Sequence, residues 1–403
     1  MSMEHSQEAL MARPVAEAGR IRTFGLGMAA VGLVLSGIGL AVKGNAFWQS
    51  YLIAFYFWNG LTIGSMAVLM VQHLTGGGWG LVARRVLEAA TRTLPLLVLL
   101  FLPILFKMPA LYSWLGPDAQ DKAVLEKALY LNPTFFVVRA AIYFAIWGVL
   151  IFFLNKWSRE QDENPPMLPG PQDRRFRLLS APGLILYVLT ITFMSVDWVM
   201  SLDPHWYSTI FGFIFVAGQA LCALSFAVAV LAMLVQREPM NGVLKAGHFH
   251  DLGKLMLAFT MLWAYFSFSQ FLIIWAGNLP EEISFYLTRL HNGWQYVSLL
   301  IVFGHFVLPF CLLLSADLKR RPRLLARVAW FIVAIRLVDI IWLVAPDFNQ
   351  KGLPISLANV GIPLLLAGVW IFLFAGQLRK HPLVPVNDPY FKRMLAHTGH
   401  GGH

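Results

Sequence analysis

Arg336 and Asp339 stand three residues apart in the apolar run 325–345, and His305 lies inside another such run, 293–315. That spacing puts both side chains on one helical face, where they can pair. A charge at mid-depth in a bilayer costs about 2.5–3.5 kcal/mol, so such residues face a bundle interior and mark ion or proton routes. Tyr265 and Gln270, with Ser267 and Ser269, add hydrogen-bonding groups on the run 253–276, and His248, His250, Asp251 and Lys254 cluster at its start. Bridged by water, these groups could hand a proton along. A closed Arg336–Asp339 salt bridge that only holds helices together explains the same pair, and both readings stand. His73, Glu88 and Arg92 form a second set, in which Glu88 and Arg92 are four apart on one helical face. Bundle glue and proton uptake suit that pair equally.

A third set is Arg139, Asp197, Asp203, His205 and Trp206. Quinol releases two protons with its two electrons, so its oxidation needs nearby bases. Trp48, Tyr51, Trp198, Trp206 and Tyr207 would supply flat apolar walls for a quinone ring. The same aromatics also suit an ordinary interfacial belt.

The elements that position these residues follow from composition. Of the 403 residues 58% are apolar and 13% charged, about half the charge of a soluble domain. Runs long enough to cross about 30 Å of hydrocarbon lie near 24–42, 47–73, 86–106, 134–154, 180–202, 208–235, 253–276, 293–315, 325–345 and 355–377. The predicted fold is therefore all-α integral membrane, with about ten transmembrane helices. Of 31 Lys and Arg, 23 fall on the N-terminal tail, the even-numbered loops and the C-terminal tail or just inside the span ends beside them (Arg92, Lys254 and Arg327), and six on the odd-numbered loops. Positive loops stay cytoplasmic, so both termini are expected inside, in a bacterial inner membrane. Glu4, Glu8, Arg13, Glu17 and Arg20 mark the start as a cytoplasmic tail rather than a signal peptide. The net charge of +10 comes from inner clusters such as Arg174, Arg175 and Arg177, then Lys319, Arg320, Arg321 and Arg323. Lipid headgroups suit them better than nucleic acid. Cys222 and Cys311 lie inside spans and suit packing, with no disulfide, zinc or iron–sulfur pattern. His73 and His305 sit at different depths and no haem-attachment motif occurs, so no metal or redox cofactor is expected on this chain.

Spans two and six match when shifted by 158 residues: Trp48 with Trp206, Ser50 with Ser208, Phe55 with Phe213, Phe57 with Phe215, Gly60 with Gly218. Both run the same way, which predicts parallel repeats. The expected division is a tail 1–23, a peripheral helix 24–46, a first four-helix bundle 47–204, a second 205–345, a peripheral helix 346–378 and a tail 379–403. Residues 119–131 have the pattern of an amphipathic surface helix. The inner loop 155–179 holds Pro165, Pro166, Pro169 and Pro171. The C-terminal tail, with His397, His400 and His403, reads as an extended segment that clamps a partner.

Three long motifs carry a resemblance: Asp197-Trp-Val-Met-Ser-Leu-Asp-Pro-His-Trp-Tyr-Ser-Thr-Ile-Phe-Gly212, His248-Phe-His-Asp-Leu-Gly-Lys-Leu255 and Ser267-Phe-Ser-Gln-Phe-Leu-Ile-Ile-Trp-Ala-Gly-Asn-Leu-Pro-Glu-Glu282. In these the chain resembles the F-subunit family of bacterial alternative complex III, a quinol:cytochrome c oxidoreductase, within the NrfD/polysulfide-reductase membrane-anchor family. The resemblance covers spans two to ten. It implies two four-helix bundles with flanking helices, quinone or quinol as ligand, and a part in proton translocation. It also implies partners: a homologous ten-helix subunit, an extracytoplasmic iron–sulfur subunit and haem c subunits. A membrane anchor of another molybdopterin or iron–sulfur oxidoreductase is the alternative, and a secondary transporter is a rival from another class. Reporter fusions at Met1 and His403 test the orientation: cytoplasmic activity is expected at both, and periplasmic activity at either reverses it.

Overall fold

A computed structural model describes residues 16–42, 44–116, 118–163, 174–238, 240–353, 356–385, 387–388 and 390–391. Glu4, Glu8 and Arg13 of the N-terminal tail, the prolines of loop 155–179, and His397, His400 and His403 lie outside them. The chain is an all-α integral membrane protein. Among the described residues no strand occurs, and ten helices are long and apolar enough to span: Ala18–Ala41, Ala46–Thr75, Gly78–Phe106, Pro133–Glu163, Arg174–Leu202, Phe211–Leu234, Ala246–Gly277, Trp294–Leu314, Pro322–Phe348 and Ala358–Arg379. Several extend past their apolar runs, because a helix can continue where its polar residues reach water. Ten crossings put Ala16 and Arg379 on one face, termed the chain-end face.

The second and sixth spans form the centre and are almost wholly buried. The second packs on the third, fifth, sixth and tenth; the sixth packs on the fifth, seventh and ninth. Without a hydrophobic drive between helices in lipid, close approach of small residues does the work. A Cβ on Gly64 would lie 2.3 Å from the Gln219 carbonyl oxygen, so only glycine lets these two backbones meet. The first span is, with the seventh, the least buried, and its main neighbour is the tenth. A Cβ on Gly32 would lie 2.3 Å from the Leu365 nitrogen, and one on Gly368 2.2 Å from that of Ala29.

Two spans are interrupted. The third stops at Thr91 and restarts at Leu94, with Pro95 in its new first turn. Proline has no N–H for the carbonyl four residues earlier, and the break is pinned where the Thr93 and Thr62 hydroxyls meet at 2.9 Å. The eighth widens into a π-helical turn over Val302–Val307, just before Pro309.

Two expectations are corrected. Residues 119–131 form no continuous surface helix. The helix covers only Lys122–Glu126, capped by the Asp121 side chain, and then turns, with the Lys127 ammonium donating to the Pro204 carbonyl at 2.5 Å. The described part of the C-terminal tail is not extended but folds back on its own chain, with Phe391 fully buried and Asp388 paired to Arg84 at 2.8 Å.

Replacing Gly32 with Val forces the first and tenth helices apart. Overpacking of this kind costs about 1–3 kcal/mol. The expected outcome is a lower thermal midpoint for Gly32→Val and little change for Gly27→Val, since a Cβ on Gly27 meets nothing within 4 Å. Equal midpoints for the two variants would show that the glycine contact does not hold the pair.

Candidate functional site

A cavity of about 740 Å³ lies between the seventh, eighth and ninth spans, with the helix Pro280–Arg289 at one end. Its volume falls in the range of small-molecule sites. The walls are mainly apolar and aromatic, including Trp263, Phe268, Phe271, Phe306 and Trp342, and seven polar side chains interrupt them: Tyr265, Ser267, Gln270, Tyr286, Arg289, Ser298 and Asp339.

Each polar group is held by its own element. On the seventh span the Gln270 side-chain oxygen accepts from Ser208 at 3.0 Å, while its amide donates to the Tyr286 hydroxyl at 3.4 Å. Burial pushes the Tyr286 phenol up to about 12, so it keeps its proton at neutral pH. That proton has no acceptor among the described residues, which leaves it to a ligand. Arg289 is spent on structure. Its guanidinium donates to the carbonyls of Trp342 (3.0 Å), Phe285 (3.0 Å) and Leu343 (2.8 Å) and pairs with Asp347 at 3.1 Å. Trp342 donates from its ring to Ser298 at 2.7 Å.

Behind the wall sits a buried group of three. Arg336 pairs with Asp339. The His305 Nδ1 lies 3.5 Å from the same Asp339 oxygen, and its ring lies against Trp263 with centroids 3.9 Å apart. The π-helical turn carries His305. Gly218 makes room for the arginine, since a Cβ there would stand 2.4 Å from the guanidinium carbon. His305 Nε2 and Arg336 Nη2 have no hydrogen-bond partner among the described residues.

The structure thus brings Gln270 and Asp339 to one cavity, with Arg336 and His305 paired to Asp339 behind its wall. Tyr265 touches the cavity but is mostly exposed. His248, His250 and Asp251 stay at the other end of the seventh span. There His248 Nδ1 accepts from the Lys245 backbone at 3.2 Å, and Asp251 pairs with Lys254 at 3.2 Å. No hydrogen bond or ion pair among the described residues joins them to His305. The buried residues of that helix in between are apolar apart from Thr260, which bonds its own helix.

The set around Asp197 splits in two. Asp197 is fully buried and closed, accepting from Arg139 at 2.9 Å and Tyr143 at 2.5 Å. Asp203 and Trp206 line a separate hollow of about 390 Å³ that Asp197, Arg139 and His205 do not reach. His205 lies 3.5 Å from Asp121.

Glu88 proves to be the hub of a larger cluster near the chain-end face. It meets Arg84 at 2.9 Å, Arg85 at 2.9 Å and Arg92 at 3.4 Å, and accepts from Ser158 at 2.6 Å. Arg84 also holds Asp388, and Arg85 holds Asp162. Three guanidiniums against three carboxylates leave no net charge. His73 is buried beside it, its ring stacked on Phe176 at 4.4 Å. Sequence reading missed Arg84, Arg85 and Asp388, though the 84/88 and 85/88 spacings were available. It also missed Tyr286 and Arg289, for which Arg289 as an isolated cation in its loop was the one signal.

Among the described residues no three His, Cys, Asp or Glu side chains gather as a metal site. Compared with known proteins, the chain matches no family model and no curated protein.

The cluster sets a pH dependence. Half-burial, and then Arg92 and Arg85, push His381 down to about 4, with Glu88 opposing. The folded protein therefore binds this proton less readily than the unfolded chain, whose His titrates near 6.5. Stability from this group is complete above about 6.5 and is lost as pH falls toward about 4. After discount for solvent screening the loss is about 1 kcal/mol. The thermal midpoint of the purified chain is expected to fall from pH 7 to pH 5, and His381→Gln to flatten that slope. An unchanged slope removes His381 as the cause.

Proposed function

We propose that the chain is a quinone-binding membrane subunit of a respiratory oxidoreductase in a bacterial inner membrane, with both termini cytoplasmic and the 740 Å³ cavity as the ligand site. The observation that carries the reading is the combination of that cavity with a free phenolic donor and a buried carboxylate–imidazole pair. The motifs at 197–212, 248–255 and 267–282 support the same assignment through their resemblance to quinol:cytochrome c oxidoreductase subunits. Four of the residues that build the cavity, Ser267, Phe268, Gln270 and Phe271, lie in the third of those motifs.

Trp263, Phe268 and Trp342 suit the two faces of a quinone ring, and the remaining apolar wall suits an isoprenoid tail. Tyr286, positioned by Gln270, donates to one ring oxygen. Asp339 accepts a hydrogen bond from the quinol hydroxyl, and His305 takes up the proton through the Asp339 oxygen it already faces. Arg336 pairs with that carboxylate and fixes its position. The two electrons leave to partner subunits: a homologous ten-helix chain, an extracytoplasmic iron–sulfur subunit and haem c subunits. Proton release toward the membrane surface belongs to the same reading.

The test uses the complex purified with this chain in place. A photoreactive quinone analogue is expected to label peptides spanning 263–271 and 286–302, and excess quinone to suppress the label. Asp339→Asn is expected to slow quinol oxidation at least tenfold, within the range for losing a general base, without dispersing the complex. Labelling confined to the hollow beside Asp203, with full turnover in Asp339→Asn, would move the site there and reject this one.

A further inference from the structure

At the chain-end face, a third hollow of about 500 Å³ opens between the first and tenth spans. Its rim is basic: Arg22 from the first helix, and Arg379 and Lys380 from the end of the tenth, with Gln377 beside them. Its floor is Phe372 and Leu373, and the Arg22 guanidinium lies over the Phe372 ring with 4.3 Å to the centroid. No ion pair among the described residues engages any of the three cations.

We propose that this hollow binds the phosphate headgroup of an anionic phospholipid. Three cations around one concavity repel each other, and a phosphate placed among them turns that repulsion into attraction. Basic pockets between transmembrane helices at the membrane surface are suited to such headgroups. Arg379 and Lys380 also complement the carbonyls at the end of their helix. Arg22 has no such role: it belongs to the other helix and is held by an aromatic ring. Below it the first helix exposes Phe24, Leu26 and Val31, an apolar surface along which acyl chains can lie. A soluble phosphate would use the rim but have no use for that surface. The site also gives the first helix a second attachment besides its glycine contact with the tenth.

The full chain, purified and placed in phosphatidylcholine nanodiscs with or without phosphatidylglycerol, tests the proposal by native mass spectrometry. Wild type is expected to retain phosphatidylglycerol through delipidation. The Arg22→Gln, Arg379→Gln double variant is expected to retain about tenfold less. Arg323→Gln, which removes an exposed cation from another span, is expected to retain it as wild type does. If the double variant does not fold, Lys380→Gln alone serves in its place, with a smaller loss expected. Equal retention by wild type and the rim variant overturns the site. Displacement of the lipid by inorganic phosphate overturns the lipid assignment in favour of a soluble anion.

Discussion

A guanidinium or carboxylate in hydrocarbon is tolerated only where the protein itself supplies its counter-charge and its hydrogen bonds, and the helices of this chain are arranged around meeting that demand. Arg139 and Asp197 join the fourth and fifth spans. Arg289 and Asp347 tie a helix of the opposite face to the end of the ninth span. Glu88, three arginines and two further carboxylates draw the third and fourth spans together with the returning C-terminal segment. Removing one partner from any of these leaves a buried charge uncompensated, which is more costly than never having had the pair. The ion pairs therefore restrict which helices can be neighbours, while the apolar surface only requires that they be buried or in lipid.

That constraint separates the clusters by what they leave over. Glu88 and Asp197 are surrounded, each by partners that use their oxygens, so neither is placed to exchange a proton with a ligand. Asp339 differs. It is held by Arg336 and faced by His305, yet it also lines an apolar hollow, and the imidazole retains an unused nitrogen. The same charge rule that closes the other clusters leaves this one facing an open cavity, and the proposed site rests on that difference.

Much of this was legible in sequence where the signal is local. Ten spans follow from apolar runs, and the Arg336–Asp339 and Glu88–Arg92 contacts follow from three- and four-residue spacing. Contacts distant in sequence were not legible. Nothing in the local pattern says that Asp388 reaches Arg84, or that Arg289 caps the carbonyls of Trp342 and Leu343. Asp197, Asp203 and His205 are close in sequence but part in space, because the helix ends at Trp198 and the turn after it sends the later side chains toward another hollow. The succession of polar groups along the spans joined His248 to His305, and that succession says nothing about whether the groups meet in space.

The cavity itself had no sequence signature, although its cause does. Pro309 has no N–H to offer the His305 carbonyl four residues earlier, so an α-helical turn at this point would leave that carbonyl unpaired. A π-helical turn reaches one residue further for its donor, and π turns of this kind recur at functional sites. The widening shifts the face that every later residue presents. Here it sets His305 inward against Asp339 and Trp263 and leaves Phe306 and Val307 on the cavity wall. On the ninth span, Gly218 of the neighbouring helix lets Arg336 retreat far enough that Asp339, and not the guanidinium, meets the hollow. A proline that interrupts one helix and a glycine that recesses one cation are thus enough to turn a structural ion pair into a carboxylate that a ligand can reach.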